Sequence, residues 1–331
     1  MSSSDPSAVV LSRLKRRKSE STYREYKRHI NQFQEWIETE HDISIFEIDM
    51  LSIEDMIDTM IDEKYSASSI RVRLSALSEF YKEVNKINND LIEVPTTKNP
   101  VENITLSEWN DVYKEEKKKE PTTKEDVSYL PPTGIEELAN NVPKPRMRNE
   151  LLIRLCYQTG LRRKELVKLK LSDGTWHSYG RPRKITIRSE NAKNGKRRVV
   201  GYQPSLDLLL DQWVSTIRPS LAMATQSEYL FPSNRSKHLS GQQFNSIVKK
   251  SAKNAGIQSV KAVNKSGEAR SSITAHTLRH SFAMAAVEKG WNLYVLKNAL
   301  GHSSVEITEM YLHEDEKEVL TNYRRRGPKS E

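Results

Sequence analysis

Cysteine is all but missing from this chain of 331 residues. Its one copy, Cys156, excludes an internal disulfide framework. Its place in the apolar run LLIRLCYQ predicts a buried core thiol in a reducing compartment, not a nucleophile. Long hydrophobic runs are missing too. None approaches the roughly 20 residues that span a bilayer, and the opening MSSSDPSAVVLSRLKRRK lacks the apolar core of a signal peptide. No membrane partner is therefore expected, and the expected location is the cytoplasm. The chain has no G-x-x-x-x-G-K phosphate loop, no H-E-x-x-H, no Cys/His spacing of a zinc site and no internal repeat, so no ATP, metal or other cofactor is expected.

What is present is charge. Lys and Arg number 53 against 44 Asp and Glu, a formal balance of +9, and the mean hydropathy is −0.71. A polyanion is the natural partner of such a surface, and nucleic acid leads that list. A surplus of lysine also occurs on ordinary solvated helices, so composition alone does not decide.

In chain order, residues 1–18 combine Ser, Asp and Pro with the cluster Arg13, Lys15, Arg16, Arg17 and Lys18, which predicts a disordered basic tail able to grip phosphates. Residues 19–92 read as a helical domain. Tyr23, Tyr26, Ile30, Phe33 and Ile37 step by three and four, a second helix starts at a Ser52 cap, and a third carries Ile70, Leu74, Leu77, Tyr81 and Val84. Residues 93–128, with Pro95, Pro100, Pro121 and the run KEEKKKE, read as an interdomain connection. Residues 129–331 form the second domain, tail included. Its helices are expected at 134–140 and 146–158, with Gly160 ending the latter and TGLRRKELVKL starting another at once. Two strands, KITIR (184–188) and RRVVGY (197–202), flank SENAKNG, where Asn194-Gly195 signals a hairpin turn with Lys193 at its tip. The fold class is mainly α with a small antiparallel β-sheet.

In the stretch 275–311, His276, Arg279, His302 and Tyr311 stand at spacings that helix geometry can bring to one side of a pocket. His276 and Arg279 are three apart and share a helix face. His302 and Tyr311 are nine apart, so a break is needed to bring them to one side. Gly301 can end one helix, and Ser303 with Glu306 can cap the next. Adding Arg162 and Lys193 gives the parts of a phosphodiester-cleaving site. Two guanidiniums clamp phosphate oxygens with forked hydrogen bonds. A phenol attacks once a nearby imidazole takes its proton, and a hairpin lysine protonates the departing oxygen. The rival reading is a helix-turn-helix over 292–312 that reads a DNA groove without chemistry.

The words TGLRRKEL, AKNGK, HTLRH and LGHSS, with the tyrosine nine residues beyond the LGH histidine, resemble the tyrosine recombinase (phage integrase) family over nearly the whole chain. The resemblance implies the catalytic set Arg162, Lys193, His276, Arg279, His302 and Tyr311, with Glu165 in support. Lys196 competes for the hairpin role, and Arg163 stands beside Arg162. The stretch YSASSIRVRLSALSEFY resembles the family's core-binding domain, which adds Arg71 and Arg73 as candidate DNA contacts. The implied activity is site-specific recombination of double-stranded DNA at a target site through a 3′-phosphotyrosyl link. The implied partners are a homotetramer on that DNA and accessory DNA-bending proteins. A type IB topoisomerase-like relaxing enzyme would share the chemistry.

Overall fold

The computed structural model describes residues 6–87, 98–109, 112, 129–176, 182–192, 195–263, 269–302, 304, 308 and 311. The chain divides into two compact units, Met1–Glu120 and Pro121–Glu331. No helix among the described residues is long and apolar enough to cross a membrane.

The first unit packs α1 (Pro6–Arg17), α2 (Glu20–His41), α3 (Met50–Asp62) and α4 (Ala67–Ile87). The apolar stripes become its core: Ile30, Phe33 and Ile37 meet Ile53, Ile57, Ile70, Leu77 and Phe80, all sealed from solvent. Helix α3 starts earlier than expected, because the Asp49 side chain, not Ser52, is the cap and accepts from the Ser52 N–H at 2.9 Å.

Three expectations are corrected here. The stretch expected to be a disordered tail forms α1 over Pro6–Arg17. Val10 and Leu14, four apart, are each 1% exposed and join the core, while Arg13 and Arg17 pair with Glu83 of α4 and Lys18 with Glu79. Three cations of the cluster thus hold the helix to its neighbour; Lys15 and Arg16 point to solvent. Leu14→Ala should cost about 2–5 kcal/mol by emptying a core site, measured as an earlier first transition on urea melting of the full chain. An unchanged melt would return the segment to a loose tail. Second, part of the expected connection belongs to the first unit: Val101, Leu106 and Val112 are buried in its core, and Trp109 Nε1 donates to Asp58 at 2.6 Å. Third, Arg73 is 8% exposed, donates to Gln32 at 3.0 Å and lies over the Tyr65 ring, because position 73 falls on the core side of the helix between Ile70 and Leu74. Arg71, one strip round, is exposed.

The second unit is built on α5 (Pro132–Asn140), α6 (Arg146–Thr159) and α7 (Arg163–Val167). An antiparallel pair, β1 (Lys184–Ile187) and β2 (Arg198–Gly201), follows, then α8 (Asp207–Gln212) and α9 (Gly241–Asn254). A second antiparallel pair, β3 (Val260–Val263) and β4 (Ala269–Ser271), precedes α10 (Ala275–Glu288) and α11 (Leu293–Leu300). Leu152 and Leu155 of α6 pack with Ile185, Trp213, Phe231, Phe244 and Leu278. Cys156 is fully buried there, and that burial pushes its thiol up to about 12, as a core residue requires. The β1–β2 register ends at Ile187 opposite Arg198, so residues 188–197 connect the strands. Gly195 takes φ +64° in that connection. Lys193 and Asn194 lie outside the described residues, as do Ser303, Glu306 and everything after Tyr311.

Candidate active site

Helix α6 stops at Gly160, whose φ of +62° suits glycine. A Cβ there would sit 2.4 Å from the Phe282 ring. The tight bend makes Arg162 the N-cap residue of α7. Its backbone N–H donates to Glu165 at 2.9 Å, and its Nη1 reaches the same carboxylate at 3.2 Å. The neighbouring Arg163 is exposed, which separates the two arginines.

Three guanidiniums converge on the last turn of α11. Arg198 Nε donates to the Ala299 carbonyl at 2.9 Å. Arg162 Nη1 and Arg279 Nη2 donate to Leu300 at 3.2 and 2.8 Å, and Arg162 Nη2 donates to Gly301 at 2.9 Å. A helix C-terminus leaves carbonyls without partners and carries partial negative charge, so cations are at home there. Arg279 Nη1 also donates to Gly160 at 2.8 Å, tying the two bends together. Arg279 is 2% exposed, whereas the Arg162 side chain keeps 25% of its surface in solvent.

Glu165 is the hub beneath them. Burial alone would raise its pKa, but hydrogen bonds from Arg198 at 2.9 and 2.7 Å, with Arg162 behind them, hold it below the usual carboxylate value. Arg198 was not found from sequence. The available signal was period two: on β2 it shares a face with buried Val200, and a charge on a buried face needs a partner.

On α10, His276 is exposed and Arg279 is buried. What burial the His276 ring has, followed by the charges of Arg279, Arg162 and Arg163, lowers its pKa. His302, directly after the αL turn at Gly301, lies 3.0 Å from Thr308 Oγ1 through Nδ1. Burial, then Arg279, Arg162, His276 and Arg198, pushes it down to about 3, so it is a neutral imidazole at neutral pH. Tyr311 is 1% exposed, and its hydroxyl sits 2.7 Å from Nδ1 of His280. Burial pushes this phenol up to about 12, with the Arg279 charge opposing. His280 stacks edge-on against His276, with centroids 4.3 Å apart. It too was missed, although HTLRH places it four residues after His276 on the same helix face.

The structure thus brings together Arg162, Glu165, His276, Arg279, His302 and Tyr311, and adds Arg198 and His280. Arginines that can hold a phosphate beside imidazoles and a tyrosine hydroxyl are the parts of a phosphoryl-transfer site that works through a side-chain nucleophile.

Comparison with known proteins agrees with that class. Residues 128–318 match the phage integrase family, and residues 11–86 match the phage integrase N-terminal SAM-like domain. The chain belongs to the phage integrase family, the tyrosine recombinases: it is a site-specific recombinase that binds DNA and cuts and rejoins its strands. It is 26% identical over 324 residues to tyrosine recombinase XerD of Staphylococcus aureus, covering 94% of each chain. To XerD of Rickettsia bellii it is 26% identical over 299 residues, covering 89% of this chain and 88% of that protein. Its fold resembles that of XerH bound to a palindromic difH substrate in a post-cleavage complex, with a TM-score of 0.63 at 21% identity over 92% of this chain and 79% of that one. The Tn1549 transposon integrase with transposon right end DNA gives a TM-score of 0.63 at 18% identity over 97% and 99%.

Proposed function

We propose that Tyr311 is the nucleophile of this recombinase and that Arg162, Lys193, His276, Arg279 and His302 complete its catalytic set, with Glu165 in support. The observation that carries the reading is the convergence of Arg162 and Arg279 on the Leu300–Gly301 turn beside His302, with the Tyr311 hydroxyl held by the helix that carries Arg279. The guanidiniums and the neutral His302 stabilise the extra charge of a five-coordinate phosphorane. The bond from Tyr311 Oη to phosphorus forms as the bond to the 5′ oxygen breaks, and that oxygen takes a proton from Lys193. The product is a 3′-phosphotyrosyl link with a free 5′-hydroxyl. Attack by a partner strand's 5′-hydroxyl reverses the step, so bond energy is conserved and no ATP is consumed.

The working unit in this reading is a homotetramer on a double-stranded target site, with accessory DNA-bending proteins where the site demands them, in the cytoplasm at the nucleoid. XerH with its difH substrate and the Tn1549 transposon integrase with transposon right end DNA, which share this fold, are both DNA-bound, in keeping with DNA as the substrate proposed here. Lys15, Arg16 and Arg71, exposed on the first unit, are the phosphate contacts proposed there.

The lysine assignment has its own test. Lys193→Ala should slow cleavage by about 100- to 10,000-fold, the range for loss of a general acid. A substrate whose 5′ leaving oxygen is replaced by sulfur, which departs without a proton, should restore the rate. Lys196→Ala should show neither effect, and the opposite pattern would move the role to Lys196.

A further inference from the structure

His302 is held at two points, one on its backbone and one on its ring. The backbone closes the end of α11: the His302 N–H donates to the Lys297 carbonyl at 3.1 Å, beside the Gly301 N–H at 2.8 Å. The ring is tied elsewhere, with Nδ1 3.0 Å from the Thr308 hydroxyl oxygen. Thr308 is fully buried, and its backbone carbonyl accepts from the Tyr311 N–H at 3.1 Å. One threonine thus holds the His302 ring with its side chain and the proposed nucleophile with its backbone. We propose that Thr308 is a positioning residue for strand cleavage: its hydroxyl donates to His302 Nδ1 and so fixes the tautomer with hydrogen on Nε2, which the ring then donates to a non-bridging oxygen of the scissile phosphate. The proposal rests on the reading of His302 and Tyr311 as members of the catalytic set.

Two observations set the direction of that hydrogen bond. The first is the state of the ring. Burial, with the charges of Arg279, Arg162, His276 and Arg198, keeps His302 neutral, and a neutral imidazole has one N–H to give. Hydrogen on Nδ1 would leave a bare lone pair on Nε2, which repels a phosphate oxygen. The second is the proton of the hydroxyl. A buried O–H needs an acceptor, and among the described residues His302 Nδ1 is the one hydrogen-bond partner of the Thr308 hydroxyl. If Nδ1 carried the hydrogen, it would donate to Thr308 and strand the hydroxyl proton in the interior. Both the ring and the hydroxyl are satisfied only when Thr308 donates.

The same contact sets the ring plane. The χ2 torsion of histidine is broad and nearly two-fold, so sterics alone do not choose between a ring and its flipped form, in which carbon replaces each nitrogen. A donor fixed on a buried, β-branched residue makes that choice. It therefore sets both where Nε2 lies and what it carries.

The test reads the tautomer first. Full-length protein labelled with ¹⁵N in its histidines is examined by two-bond ¹H–¹⁵N correlation, and His302→Ala identifies the His302 ring by loss of its signals. In wild type Nε2 should carry the hydrogen and Nδ1 should be bare; hydrogen on Nδ1 would overturn the proposal. Rates come second, as single-turnover formation of the covalent adduct on a nicked target duplex. Thr308→Val keeps the branched shape without the donor, and should bind the duplex like wild type but react about 10- to 100-fold more slowly, short of the loss expected when a transition-state donor is removed outright. Thr308→Ser keeps the hydroxyl and should react within about threefold of wild type. Added to His302→Ala, Thr308→Val should cost nothing more, because both changes act through one donor. A further loss of about tenfold in that double variant would show that Thr308 only packs, and would overturn the positioning role. If Thr308→Val does not fold, the wild-type spectrum decides alone, hydrogen on Nε2 supporting the proposal and hydrogen on Nδ1 sinking it. A wild-type rate from His302→Ala, or an adduct from Tyr311→Phe, would overturn the catalytic set beneath the proposal. Hydrogen on Nδ1 would leave that set standing, so the two failures are distinguishable.

Discussion

Tyr311→Phe is expected to abolish the covalent protein–DNA adduct, a loss of at least about a thousandfold, since it removes the one atom that would bond to phosphorus. The ring stays, and with it the packing of a residue that is 1% exposed against Ala283, Met284, Leu296 and Leu300. What the fold loses is the hydrogen bond to His280, worth about 0.5–1.5 kcal/mol. Melting temperature should therefore fall by only a few degrees, at about 2–4 °C per kcal/mol for a unit of this size, and affinity for target DNA should hold. The assay is accumulation of a denaturant-resistant species on a nicked duplex in excess EDTA. Wild type should accumulate it there, because guanidiniums and imidazoles take the place that metal ions hold in a two-metal nuclease. An adduct with phenylalanine in place, or one that forms only with magnesium, would end the tyrosine-nucleophile reading.

How far the sequence was legible follows the distance over which each contact acts. The stripe Ile30, Phe33, Ile37 and the bend after Gly160 are written in residues three or four apart, and they were read. So was the pair His276 and Arg279, within one turn of α10. Helix α1 was not, because its apolar face is narrow and its basic residues look solvated until Glu83 arrives from 66 to 70 positions away. A short helix gains most of its stability from tertiary packing, and no local pattern records that. The same reason hid the two added site residues. Arg198 meets Glu165 across 33 positions, and His280 meets Tyr311 across 31. Arg73 failed in the opposite direction: its type suggested DNA, and the helical phase placed it under the surface.

Arg198→Ala should be among the most destabilising single changes in the second unit. The Glu165 carboxylate side chain is 1% exposed and the Arg198 side chain 10%, so the pair is buried, and both guanidinium nitrogens that face the carboxylate are within 2.9 Å of it. Removing one partner of a buried pair strands the other charge and costs about 3–5 kcal/mol. That corresponds to a fall of about 6–20 °C at about 2–4 °C per kcal/mol. Arg198→Lys should recover little, since a point charge cannot fork onto two oxygens while also holding the Ala299 carbonyl. The double variant Arg198→Ala, Glu165→Gln separates stability from function. With the stranded charge gone, melting should return most of the way, because glutamine can still accept from the Arg162 N–H. Adduct formation should stay depressed, because Arg162 has lost the carboxylate and the α11 turn has lost the arginine that fixed Ala299. A single variant that melts within about 1 kcal/mol of wild type, at the level of an exposed pair, would show that this ion pair does not hold the site together. A double variant that regains full activity would show that Arg198 contributes stability and nothing to the placement of Arg162.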